Sequence, residues 1–218
     1  MIIITGASDG VGLEIAKLYK AAGKKVVNIS RRESVAADIN IMQDMRQGVA
    51  IQAAAQSIKD MPDRIEAVIN SIGVFTEETF GNVTEDEVKR LMSTNVKAPM
   101  MFISELFERI KKDEADILNI VSKAGTIGSK ATPLYAASKW AERGFTLSLQ
   151  EKLKDTPCRV ISFCPGGIGT GLFNKADTDI DTNNWMSPEA IALFIKQILD
   201  LPKNMEVGEV IINRKAVK

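Results

Sequence analysis

Short, nearly unbroken apolar runs alternate along this chain with longer stretches in which apolar residues recur every three or four positions. The runs Ile2–Thr5, Lys25–Ser30, Val35–Ile39, Glu66–Asn70, Asp116–Ser122, Arg159–Cys164 and Glu209–Asn213 predict strands. The amphipathic stretches predict helices over about Val11–Ala22, Asp44–Lys59, Thr84–Lys112, Leu134–Lys154 and Pro188–Leu199. Strand and helix alternate throughout, which predicts an α/β fold: a doubly wound parallel sheet covered on both faces, three layers in all. Ligands of such sheets sit at the carboxyl ends of the strands. One spacing departs from the pattern. Only Arg31 to Ala37 separate Ser30 from Asp38, too few for a full crossover helix, which needs about 10–12 residues. The connection between strands two and three is therefore expected to lack its helix.

Composition narrows the chemistry. At 218 residues the chain is expected to form a single domain. Lys+Arg and Asp+Glu are both 28 and interspersed, which argues against nucleic acid or an anionic membrane as partner. There is no histidine, so Ser-His-Asp machinery, His-bound zinc and imidazole acid–base chemistry are excluded. Cys158 and Cys164 are too few for a disulfide framework, no apolar run approaches a membrane span, and Met1-Ile-Ile-Ile lacks a signal peptide's charged start. A cytoplasmic protein is expected. Asn82-Val83-Thr84 matches the glycosylation sequon, but in such a chain Thr84 with Glu87 reads as a helix capping box. Asp177, Asp179 and Asp181 imitate the start of a calcium loop, yet Thr182 stands where glycine is needed and Pro188 where the bidentate Glu belongs. No metal site is expected.

The first strand runs directly into Thr5-Gly6-Ala7-Ser8-Asp9-Gly10-Val11-Gly12. Glycines here allow a sharp turn, close approach of backbone N–H groups to a pyrophosphate, and tight packing of the helix, whose N-terminus attracts negative charge. The residue pattern alone also fits a glycine-rich S-adenosylmethionine site. Its spacing, T-G-x-x-x-G-x-G, resembles that of the short-chain dehydrogenase/reductase family. Further motifs follow in the family's order: Asn70-Ser71-Ile72-Gly73 after the fourth strand, similar to N-N-A-G; Asn95 within the long helix; Ser122 at a strand end; Tyr135 and Lys139 as Y-x-x-x-K; and Pro165-Gly166-Gly167-Ile168-Gly169-Thr170 as P-G-x-x-x-T.

The resemblance implies a Rossmann fold and a bound nicotinamide cofactor. It places Gly6, Ser8, Gly10, Val11 and Gly12 at the pyrophosphate, and Ser71 and Gly73 close to the cofactor. Asn70 would brace the sheet centre, and Pro165, Gly166, Ile168 and Thr170 would cup the nicotinamide. It implies Ser122, Tyr135, Lys139 and Asn95 as the active-site set. Tyr135 and Lys139 lie one helical turn apart and project from one face, so an ammonium can stand beside a phenol, and a nearby cation favours phenolate. Tyr135 is then the acid or base toward a carbonyl or alcohol. Ser122 holds the substrate oxygen, Lys139 also binds ribose, and Asn95 supports a water relay.

The second strand ends in Ser30-Arg31-Arg32, with no carboxylate for a ribose 2′-hydroxyl and two guanidinium groups suited to a 2′-phosphate. NADP(H) is therefore expected over NAD(H), with Asp38-Ile39 at the adenine. Val74–Gly81, Lys123–Leu134 and Gly171–Met186 would surround the substrate, with Leu172, Phe173, Trp185 and Met186 as apolar walls and Lys123 or Lys130 as cations. Substrate identity stays open. The resemblance implies a homodimer or homotetramer paired through the helices around Thr84–Lys112 and Leu134–Lys154, where Met100, Met101, Phe102 and Leu106 suit either interface or core. The rival readings are an NADPH-sensing regulatory protein and a methyltransferase.

Overall fold

The computed structural model describes residues 1–76, 81–172, 182 and 184–215. Seven parallel strands form one sheet: β1 (Ile2–Thr5), β2 (Val26–Ser30), β3 (Ile39–Met42), β4 (Ala67–Asn70), β5 (Asp116–Ile120), β6 (Val160–Pro165) and β7 (Glu209–Ile212), in the order β3-β2-β1-β4-β5-β6-β7. Strand order reverses between β1 and β4, where a crevice opens at the carboxyl ends.

One face of the sheet is covered by α1 (Gly10–Ala21) and α6 (Pro188–Leu199), around Ile4, Ile15, Phe163 and Ile195. The other carries α2 (Gly48–Lys59), α4 (Ala98–Asp113) and α5 (Pro133–Leu153), around Ile3, Ile51, Phe102 and Leu106. Burial on both faces is why β1, β2 and β4 read as continuous apolar runs. Phe102 and Leu106 have no exposed surface, so they are core within the chain and leave an interface to other residues.

Two predicted elements are corrected. The third strand is not Val35–Ile39 but Ile39–Met42; Val35 is 87% exposed. Chain direction is reversed between β2 and β3 without a helix. Instead, Asn28 Nδ2 donates to Asn40 Oδ1 at 2.8 Å and to the Arg32 carbonyl at 3.0 Å, and the Ser34 N–H donates to Asn40 Oδ1. The long helix is also interrupted. It comprises α3 (Glu85–Met92), a π-helical stretch over Ser93–Lys97, and α4. Pro99 has no N–H for the carbonyl of Asn95 four residues back, and the register slips there, the Ala98 N–H reaching Ser93 O. The start of α3 carries the expected capping box, Thr84 with Glu87. No helix among the described residues is long and apolar enough to cross a membrane.

Of the sequence expectations, Phe173, the Asp177, Asp179 and Asp181 run, and residues 77–80 of the Val74–Gly81 segment lie outside the described residues.

Candidate active site

A cleft of about 690 Å³ runs across the carboxyl ends of the strands. Its centre is the turn between β1 and α1. Gly6 and Gly10 adopt φ of +81° and +55°, a region where side chains bring strain. A Cβ on Gly12 would stand 2.5 Å from the Gly6 carbonyl oxygen, so helix and turn touch backbone to backbone. Gly6, Ser8, Gly10 and Val11 line the cleft, while Gly12 lies beneath it as packing.

Beside this turn, a chain of buried side chains ties the sheet centre together. Thr5 Oγ1 donates to Asn70 Oδ1, Asn70 Nδ2 to Asn119 Oδ1 at 2.7 Å, and Asn119 Nδ2 to Thr146 Oγ1 at 2.8 Å. Thr146 in turn donates to the Glu142 carbonyl on α5. Asn70 thus braces the sheet without lining the cleft, whereas Ser71 and Gly73 beside it do line it.

At the far end three elements converge. Ser122, just beyond β5, caps a single 3₁₀ turn by accepting from the Ala124 N–H at 3.1 Å. Tyr135 and Lys139 project from α5, 7% and 3% exposed. Ser122, Tyr135, Lys139, Pro165, Gly166, Ile168 and Thr170 all line the cleft. Phe75 meets the Tyr135 ring edge-on at 5.0 Å between centroids. Lys139 Nζ donates to the Ile120 carbonyl at 3.2 Å and to Glu142 Oε2 at 2.7 Å. Burial works against its charge, but Glu142 and then Tyr135 oppose that, and the ammonium is held above the usual lysine range. Burial pushes the Glu142 carboxyl up.

Asn95 is fully buried and does not line the cleft. Its amide donates to Val74 O and Ser138 Oγ and accepts from the Val74 N–H, so its side chain joins β4's exit to α5.

The other end is open. Ser30, Arg31 and Arg32 line it together with Gln43, Asp44, Met45 and Arg46. Arg32 pairs with Asp9 at 3.2 Å and Arg46 with Asp44 at 2.6 Å. Arg46 holds the Asp44 carboxyl below the usual carboxylate range. Asp38 and Ile39 are not at this end. The Asp38 carboxylate accepts from the Val26 N–H at 2.8 Å, at the amino end of β2, and Ile39 is the first residue of β3. The expectation that they meet the adenine is overturned by the strand shift described above. Asp44 and Met45, immediately beyond β3, line this end instead, and an acidic-apolar dipeptide after an alternating Ile39-x-Ile41 was the available signal.

Sequence reasoning also missed Arg90 and Thr94, which line the cleft, and Glu142 behind Lys139. Leu172 and Trp185 line the cleft as expected, and so does Lys123. Met186 packs against the core instead, and Lys130 is exposed away from the lining.

A model of the short chain dehydrogenase family matches residues 1–181. The chain belongs to this family. It is 29% identical to an uncharacterized oxidoreductase of Staphylococcus saprophyticus over 96% of this chain and 95% of that one. Among solved structures, a short-chain dehydrogenase/reductase from Vibrio parahaemolyticus superposes with a TM-score of 0.86 at 26% identity, covering 99% of this chain and 100% of that one. The closed form of a serine dehydrogenase complexed with NADP+ superposes with a TM-score of 0.87 at 23% identity, covering 97% and 94%. This short chain dehydrogenase is accordingly an oxidoreductase with a nucleotide-binding Rossmann fold.

Proposed function

We propose that this short chain dehydrogenase interconverts a carbonyl compound and the matching secondary alcohol with NADP(H), using Tyr135 as the proton donor or acceptor. The observation that carries the reading is the meeting of Ser122, Tyr135 and Lys139, from separate elements, on one cleft that begins at the β1–α1 glycine turn. Gly6, Gly10 and Gly73 line that cleft, and the lack of side chains there suits the close approach of a dinucleotide to the backbone. When bound, NADP(H) supplies or accepts the hydride. In reduction, Ser122 Oγ holds the carbonyl oxygen by hydrogen bond and Tyr135 gives that oxygen its proton. Lys139 stabilises the phenolate left behind and, with one N–H still free after Ile120 and Glu142, can hold ribose hydroxyls. Asn95 acts by fixing Val74 and Ser138.

The preference for NADP(H) is supported by Arg31, which has no ion-pair partner among the described residues, and by the absence of a carboxylate at the end of β2. A 2′-phosphate there would gain bidentate contacts. We extend the proposal to a cytoplasmic homodimer or homotetramer paired along α4 and α5, where Trp140 is 46% exposed; sedimentation as a monomer alone would remove that part. The central test is NADPH oxidation by purified protein over a panel of small aldehydes, ketones, quinones and 3-keto esters, run beside Tyr135→Phe. Turnover by the wild type and a loss of at least about 10²-fold in the variant are expected. Tight NADPH binding with no turnover across the panel would point to a sensing protein instead.

A further inference from the structure

Glu142 is the least expected residue of α5. It stands one helical turn beyond Lys139 on the buried face, its side chain 1% exposed, with the ammonium 2.7 Å from Oε2 and no hydrogen-bond partner for Oε1. A carboxylate in such a place carries a desolvation cost that well-packed apolar side chains avoid. Another buried ion pair shows what a structural clamp looks like. Arg159 and Asp116 pair at 2.7 Å, the guanidinium also reaches the carbonyls of Leu199, Leu201, Pro202 and Met205, and the carboxylate accepts in addition from the Arg159 N–H and from Lys203. That pair is saturated. The Lys139–Glu142 pair is not, and its lysine lines the cleft together with Tyr135.

From this geometry, and resting on the oxidoreductase reading above, we propose that Glu142 is a positioning residue that anchors the Lys139 ammonium and offsets its field at Tyr135, so that the phenol keeps its proton for carbonyl reduction. An ammonium standing alone beside a phenol favours phenolate; a carboxylate on its far side cancels part of that pull. Two of the three Nζ donors are spent on Ile120 and Glu142, which fixes where the charge sits. The turn carrying Glu142 is itself pinned, through Thr146 and Asn119, to the sheet centre. Among the described residues, the other ionisable groups nearby are the Cys164 thiol of β6, pushed up by burial, Glu209 of β7 behind it, held down by Arg143, and Arg90 and Lys123, which line the cleft with Tyr135. None of them hydrogen-bonds to Lys139 or Glu142.

The sequence makes the test direct. Tyr19 and Tyr135 are its two tyrosines, and burial, with Asp200 next, pushes the Tyr19 phenol above the usual range. Phenolate absorbance on raising the pH of the full-length protein therefore reports Tyr135. In E142Q the phenolate is expected at least one pH unit lower than in wild type, and alcohol oxidation on the acid limb of its pH profile about tenfold faster. In K139M the phenolate is expected at least one unit higher, and K139M/E142Q should titrate below K139M, because the Glu142 charge acts on the phenol directly. E142L, whose apolar side chain refills the same space, carries the same expectation if E142Q fails to fold. A wild-type midpoint in E142Q or E142L, with a pH profile merely scaled down, would overturn the proposal, as would a double variant that titrates like K139M. Absence of wild-type turnover would sink the carbonyl-reductase reading by itself, while the absorbance titration would still decide whether Glu142 acts on Tyr135.

Discussion

The two ends of the cleft are held in different ways. At the tyrosine end, Tyr135, Lys139, Glu142 and Asn95 are buried; Lys139 is bonded to Glu142, Asn95 to Val74 and Ser138, and the Tyr135 ring packs on Phe75. At the open end, Arg31 and Arg32 are exposed, and the pairs Arg32–Asp9 and Arg46–Asp44 are half in solvent. Exposed pairs of this kind contribute about 0–1 kcal/mol, whereas breaking a buried pair costs about 3–5 kcal/mol. Folding therefore sets the geometry of the tyrosine end, while the open end is lined by side chains that stability hardly depends on.

Lys139→Met is the strongest way to test that contrast. It strands the Glu142 carboxylate in the core, and urea unfolding should show a loss of about 3–5 kcal/mol together with loss of turnover. An unfolding midpoint equal to wild type would mean that the pair is solvated. Gly12→Ala comes next, because its Cβ would meet backbone at 2.5 Å. The turn must shift, and NADPH affinity, measured by fluorescence titration, should fall at least about tenfold, a loss of about 1.4 kcal/mol. Arg31→Ala should leave stability within about 0.5 kcal/mol and weaken NADPH far more than NADH; equal weakening of both would remove the phosphate reading. The smallest effect belongs to Asp44. Its carboxyl is depressed by Arg46, so its contribution is present above the usual carboxylate pKa and lost as pH falls through the lower folded value. Arg46→Ala should flatten the acid limb of thermal stability slightly, and an unchanged limb would show that the pair contributes nothing.

The same contrast explains what could be read from the sequence. Strands β1, β2, β4, β5 and β6 are enclosed by helices on both faces, so their apolar runs stand out, and the motif residues Ser122, Tyr135 and Lys139 follow at fixed offsets. β3 is an edge strand with three half-buried residues and an exposed Met42. Its weak alternation lost to the more apolar look of Val35–Ile39, and Asp38 was carried to the wrong end of the sheet with it. Glu142 was invisible for another reason. A glutamate on a helix is ordinarily a solvent-facing residue, and only the packing of α5 against β5 and β6 turns this one inward. The interruption at Asn95 was half legible, since Asn is a poor helix former, but the slip in register needed Pro99 and the bonds to Val74 and Ser138 together.

The strand order has a consequence for synthesis. β1 is made before the other strands of this sheet, yet it lies between β2 and β4, and its pairing with Ala67–Asn70 waits until some sixty further residues have been made. Through that interval one edge of an almost wholly aliphatic strand has no neighbour, and an uncovered edge is a template for pairing with another chain. Slow translation between residues 30 and 70, or a shortage of chaperone, should therefore lower the soluble yield of this protein more than the same stress applied after β4 has emerged.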